Sequence, residues 1–166
     1  MVARDRAALR WLWLSAALVV LDQLSKLAIE RSFQLGESRF VLPVFNLVRA
    51  HNTGAAFSFL SAASGWQRWL FTLIAFVVSA LLIVWLRKIP SGARLLPAGL
   101  ALILGGAIGN LVDRLRLGHV IDFLDFHWGA THFWVFNIAD SAITIGAVLL
   151  LLDGWRDARR GAQESV

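Results

Sequence analysis

Four stretches of this chain are apolar and long enough to cross a bilayer. They run over residues 11–30, 69–86, 95–112 and 136–152, each near the ~20 residues a helix needs to span hydrocarbon once flanking interfacial residues are included. Trp11, Trp13, Trp66, Trp69, Trp85, Trp134 and Trp155 fall near the ends, as interfacial aromatic belts require. The pattern predicts a mainly α membrane protein with four transmembrane helices, forming a single domain over residues 1–166. Between the first two helices, the run Arg39 to Arg49 is rich in β-branched and aromatic residues, predicting short strands folded back against the outer leaflet. Ala55 to Leu60 is apolar and predicts a segment that lies on lipid or covers a site, with Ser64-Gly65 as a break before the second helix. His127 to His132 reads as an interfacial loop.

Charge then sets the orientation. Arg4, Arg6 and Arg10, then Arg87, Lys88 and Arg94, then Arg156, Arg159 and Arg160 lie in short segments on one side, which the positive-inside rule makes cytoplasmic, with both termini. The longer connections, about residues 31–68 and 113–135, become external. The N-terminal arginines before an apolar run, with Ser15-Ala16-Ala17 following, resemble a signal peptide. The run continues to about Ile29, which predicts an uncleaved span instead.

Composition narrows the chemistry. Hydrophobic residues make up 58% of the chain, too many for an ordinary soluble domain. Absence of cysteine removes disulfides, thiolate metal sites and a thiol nucleophile. The net charge of +5 comes from basic residues beside apolar segments rather than a long basic run, so it sets topology and implies no nucleic acid.

Against this background the polar residues stand out. Asp22 and Lys26 are four apart on the first helix and share a face. Their pair serves either packing or support of a site. Asn52-Thr53-Gly54 is either a turn or a place where Asn52 donates to a substrate backbone and Gly54 permits its close approach. Gly105-Gly106-Ala107-Ile108-Gly109-Asn110 allows close helix packing. Arg114 either neutralises Asp113 or Asp125 or orients a substrate carbonyl. His119, Asp122, His127 and His132 admit a metal reading, but no HExxH helix supports it, and GxSxG is absent. Asp122 and Asp140, both on the outer side and embedded in apolar sequence, fit a pair of carboxyls sharing a proton, although Asp140 also suits a helix cap. The rival reading is a small proton-coupled transporter or channel bundle, in which Asp22, Lys26, Asp122 and Asp140 relay protons.

Five blocks in order carry a family resemblance: Leu21-Asp22-Gln23-Leu24-Ser25-Lys26, Asn52-Thr53-Gly54-Ala55-Ala56-Phe57, Gly109-Asn110-Leu111-Val112-Asp113-Arg114, Gly118-His119-Val120-Ile121-Asp122-Phe123 and Phe136-Asn137-Ile138-Ala139-Asp140-Ser141. Together they resemble the lipoprotein signal peptidases, signal peptidase II. The resemblance implies a multi-pass bacterial inner-membrane aspartyl endopeptidase with four helices, a small external β-cradle and a periplasmic amphipathic helix over the active site. It implies substrates that are prolipoproteins carrying a diacylglyceryl cysteine, cleavage before that cysteine, and inhibition by globomycin. It makes Asp122 and Asp140 the catalytic pair, and Asp22, Lys26, Asn52, Gly54, Asn110, Arg114 and Asn137 lining or supporting residues, with no metal or cofactor. An active site at the periplasmic face suits both water and the membrane lipids that the substrate's acyl chains prefer.

Overall fold

The computed structural model describes residues 7–54 and 65–164. Arg4, Arg6, the apolar segment Ala55–Leu60 and Ser64 lie outside them. A 3-10 turn (Ala7–Trp11) leads into α1 (Leu12–Ser32), which is followed by β1 (Ser38–Leu42), β2 (Phe45–Asn52), α2 (Trp66–Leu86), α3 (Leu95–Arg116), β3 (Val120–Trp128), β4 (Thr131–His132) and α4 (Ile138–Glu164). All four helices have the length and hydropathy of membrane spans, so the chain is a multi-pass membrane protein. The ends differ from the hydropathy reading: α2 starts earlier, at Trp66, and α3 and α4 continue to Arg116 and Glu164. Polar residues at those ends leave the apolar stretch without breaking the helix, because helix geometry does not require apolar side chains.

Helix α3 is central. Over half of its apolar window is buried inside the protein, 56% against 17–22% in the other three, and it packs against α1, α2 and α4. Its glycines explain how. A Cβ on Gly105 would fall 3.0 Å from Ser15 O and 2.8 Å from Leu18 Cδ2 of α1, and one on Gly106 would collide with the carbonyl oxygen of Ala139 in α4. Small residues thus let two helices approach α3 to backbone distance.

The sheet is antiparallel, in the order β1-β2-β3-β4, with a register irregularity between Leu47 and Ala50 where β2 meets β3. It rests on the C-terminal end of α1. Arg49 Nη1 donates to the carbonyls of Glu30 and Phe33 (3.1 and 3.0 Å), and Arg39 Nη2 donates to Ser32 O (2.6 Å), so two sheet arginines satisfy carbonyls that a helix end leaves open. Ile29, Phe33, Ile121 and Phe123 form the small core between them. The strands anticipated over Arg39–Arg49 are present. The segment read as a loop around His127–His132 is instead the end of β3, a turn at Gly129-Ala130 and all of β4, because the pairing of His127 with His132 and Trp128 with Thr131, not local propensity, decides the strands.

Candidate active site

The chain places two carboxylates side by side by doubling back. After β4, Phe136 bridges Leu124 of β3: Leu124 N donates to Phe136 O (2.8 Å) and Phe136 N to Leu124 O (3.1 Å). The next residue, Asn137, therefore arrives beside Asp122, and α4 starts there. Asn137 Oδ1 accepts from Asp140 N (2.9 Å), while Asn137 N donates to Asp140 Oδ2 (3.3 Å). This reciprocal pair is a capping box with Asn137 as N-cap and Asp140 three residues on. Asp140 does cap, as one reading held, and the same geometry aims it at the site.

Asn137 is also the bridge between the two aspartates. Its Nδ2 donates to Asp122 Oδ1 (2.6 Å) and Asn110 Oδ1 (3.2 Å), and Asn110 Nδ2 donates to Asp140 Oδ1 (2.8 Å). Asn52 Nδ2 donates to Asp122 Oδ2 (2.9 Å), so this asparagine addresses the carboxylate rather than open space. Its Oδ1 accepts from Gly54 N (2.9 Å), forming the turn that the sequence suggested. Arg114 neutralises neither Asp113 nor Asp125 by direct contact. It donates to Gly54 O (2.9 Å) and Asn110 O (3.4 Å), because Asp113 faces inward from α3 and Asp125 lies further along β3. Lys26 bonds Asn110 Oδ1 (2.9 Å) and pairs with Asp22 (2.8 Å). All nine residues singled out from sequence thus belong to one connected network.

The environment is secluded from the surface. Asp122 is 2% exposed. Burial, followed by the neighbouring Asp140 carboxylate, pushes Asp122 up to about 7, against hydrogen bonds from Asn52 and Asn137 that pull it down. A cavity of about 650 Å³ opens on both carboxylates and extends between Phe133, Trp134 and Phe136 on one side and Ser141, Thr144 and Ile145 on the other. It is apolar apart from its two acids, Asn52, Ser141 and Thr144, the usual form of a site that binds a largely hydrophobic ligand.

Several residues were not singled out from sequence. Asp113 is buried and takes the Lys26 ammonium at 2.8 Å. Gln23 Nε2 donates to Asp113 Oδ1 (2.8 Å) and Gly109 O (3.2 Å). Asp113 follows Asn110 by three residues, a spacing that puts both on one helix face, and Thr144, four residues after Asp140, shares its face in the same way, while Ser141 lines the cavity beside it. The histidines gather in two separate pairs, His51 with His119 and His127 with His132, rather than at one point. His119 stacks on His51 (centroids 3.7 Å) near the start of β3, whereas His132 Nδ1 lies 2.9 Å from Asp125 Oδ1 at its other end, and no cluster of three or more metal-ligating side chains occurs among the described residues.

The chain is similar to several known proteins. Residues 14–156 match the family model described as signal peptidase (SPase) II. A lipoprotein signal peptidase of Shewanella loihica is 52% identical over 160 residues, covering 96% of this chain and 94% of its own. That of Ralstonia nicotianae is 57% identical over 150 residues, covering 90% and 86%. Among solved structures, a bacterial membrane enzyme determined by the in meso method at 2.3 Å resolution superposes with a TM-score of 0.81 at 29% identity, covering 90% of this chain and 89% of that one.

Proposed function

The chain belongs to the signal peptidase II family, the lipoprotein signal peptidases, and on that premise we propose that Asp122 and Asp140 are its catalytic pair. The protein is a membrane aspartyl peptidase that processes prolipoproteins, a function that displaces the transporter reading. The observation that supports the pair is a single cavity lined by both carboxyls, with the Asn137–Asn110 bridge holding them in register.

Amide hydrolysis needs a base to activate water and an acid to protonate the leaving nitrogen. Two carboxyls sharing one proton supply both: the ionised one takes a proton from water as it attacks the scissile carbonyl, and the protonated one gives its proton to the departing amine. With Asp122 held near 7, its carboxyl is able to give or take a proton at neutral pH. Asn52, Asn110 and Asn137 orient the carboxyls, and Arg114 and Gly54 hold the adjoining turn. Asp22 and Lys26 support the site from behind.

The substrate is a prolipoprotein whose cysteine already carries diacylglycerol, cut on the N-terminal side of that cysteine, with its acyl chains left among membrane lipids. The apolar cavity beside the acids supports this, as it does binding of globomycin-type inhibitors. Residues 1–166 act as one peptidase domain in the bacterial inner membrane, with both termini cytoplasmic and the site at the periplasmic face, as the basic short segments favour. Mass spectrometry of a purified lipidated prolipoprotein tests the pair: wild type releases the signal peptide, and Asp122→Asn and Asp140→Asn do not. Near-wild-type turnover by either variant would end this reading. Reporters fused at residues 90 and 162 are expected to be cytoplasmic and one at 125 external; the reverse would invert the orientation.

A further inference from the structure

Behind the two acids lies a buried ion cluster that takes no part in the proton transfers themselves. Lys26 is 2% exposed, and its ammonium has three donors. They go to Asp22 Oδ2 at 2.8 Å, Asp113 Oδ2 at 2.8 Å and Asn110 Oδ1 at 2.9 Å. None is left for a substrate, so Lys26 acts through its partners.

The destinations of those partners form a pattern. Asp22 Oδ1 accepts from the backbone N–H of Ala139 (3.0 Å), the residue before Asp140. Asp113 Oδ2 accepts from the backbone N–H of Ile121 (3.3 Å), the residue before Asp122. Asn110 Oδ1, held by Lys26, is the acceptor end of its amide, which leaves the donor end facing Asp140. We propose that Lys26 is a positioning residue whose single ammonium, through Asp22 and Asp113, clamps the backbone amides that precede the two catalytic aspartates and so fixes the relative placement of the carboxyls.

The arrangement is costly as a device for stability alone. One cation against two anions leaves a buried net charge of −1, and an apolar replacement of similar volume is often as stable or more so. As a positioning device it ties a strand and a helix, distant in sequence, to one atom. Gly109 belongs to the clamp: a Cβ there would fall 2.6 Å from Asp22 Oδ2, so only glycine lets that carboxylate lie across α3 to reach Ala139.

The proposal rests on the assignment of Asp122 and Asp140, and the test separates the two. Steady-state cleavage of a lipidated prolipoprotein is measured for Asp22→Asn, Asp113→Asn and Gly109→Ala, with Asp122→Asn and Asp140→Asn alongside, and kcat is normalised to folded, monodisperse protein. Each Asn variant leaves the cluster formally neutral, and Gly109→Ala alters no charge and favours helix, so folded protein is obtainable. Displacing one arm is expected to lower kcat by about 10- to 100-fold with KM within about 2-fold, since misplacement near 1 Å costs this much. A purely structural cluster would lower melting temperature and leave kcat per folded molecule unchanged. If all three folded variants keep kcat within about 2-fold while the Asp122 and Asp140 variants are inactive, the clamp is wrong and the pair stands. Turnover by Asp122→Asn or Asp140→Asn overturns the pair itself.

Discussion

Asp122 and Asp125 lie three residues apart on one strand, both nearly buried, and each receives the side-chain amide of an asparagine from β2, Asn52 in one case and Asn46 (3.1 Å) in the other. Their acidities move in opposite directions. Asp122 is pushed up to about 7 by burial and the Asp140 carboxylate. Burial pulls Asp125 up as well, but the hydrogen bonds from His132 and Asn46 and the charge of His132 outweigh it and hold Asp125 below the usual carboxylate range. What distinguishes the proposed catalytic acid from its neighbour here is the opposing group, a second carboxylate against an imidazole, and the depth at which they meet. Strand, residue type and asparagine partner are common to both.

Three measurements press on that contrast. In the prolipoprotein cleavage assay, Asp122→Asn should reduce kcat by about 1,000-fold or more, whereas Asp125→Asn should stay within about 3-fold; equal losses would show that any buried acid of this strand is needed. Unfolding in detergent should separate them by sign. Asp122, raised from 3.8 to about 7, contributes stability that is present below pH 3.8 and lost as pH rises through 7, so Asp122→Asn should gain on wild type over that window, by about 4 kcal/mol at most. Asp125, lowered from 3.8, contributes stability above that value and loses it as pH falls through its depressed pKa. Asp125→Asn should therefore trail wild type slightly at neutral pH and draw level in acid. Melting curves at pH 4 and 7.5 check the first sign, and curves at pH 7.5 and well below pH 3.8 check the second. Smallest is the effect of the asparagines: Asn52→Ala should lower kcat about 10-fold, the usual worth of a hydrogen bond to a charged group, and Asn46→Ala less than about 2-fold.

The helices were legible because hydrocarbon demands long apolar runs, and Asn137 to Asp140 carries the spacing of a capping box in the sequence itself. Strand β3 was not, since Val120–Trp128 alternates imperfectly and owes its form to β2 and to the returning segment at Phe136. The same limit hid the role of Asp113. Its neighbour Arg114 is the obvious partner along the chain, yet α3 turns Asp113 inward to a lysine on α1, a choice made by packing. Asn52 shows a subtler gap: the residue type suggested an amide for substrate, and only the β2–β3 register reveals that its first partner is Asp122.

Gly106 carries the last consequence. A methyl group there would strike the carbonyl oxygen of Ala139, which belongs to backbone and has no rotamer by which to step aside. α3 thus serves as a gauge block for α4, and the gauge is set by an absent atom. Anything that thickens this crossing moves the whole first turn of α4, and Asp140 with it, as a rigid piece. The tolerance of the proposed catalytic geometry is therefore written less in the acids than in a residue with no side chain, a helix turn away from Asn110.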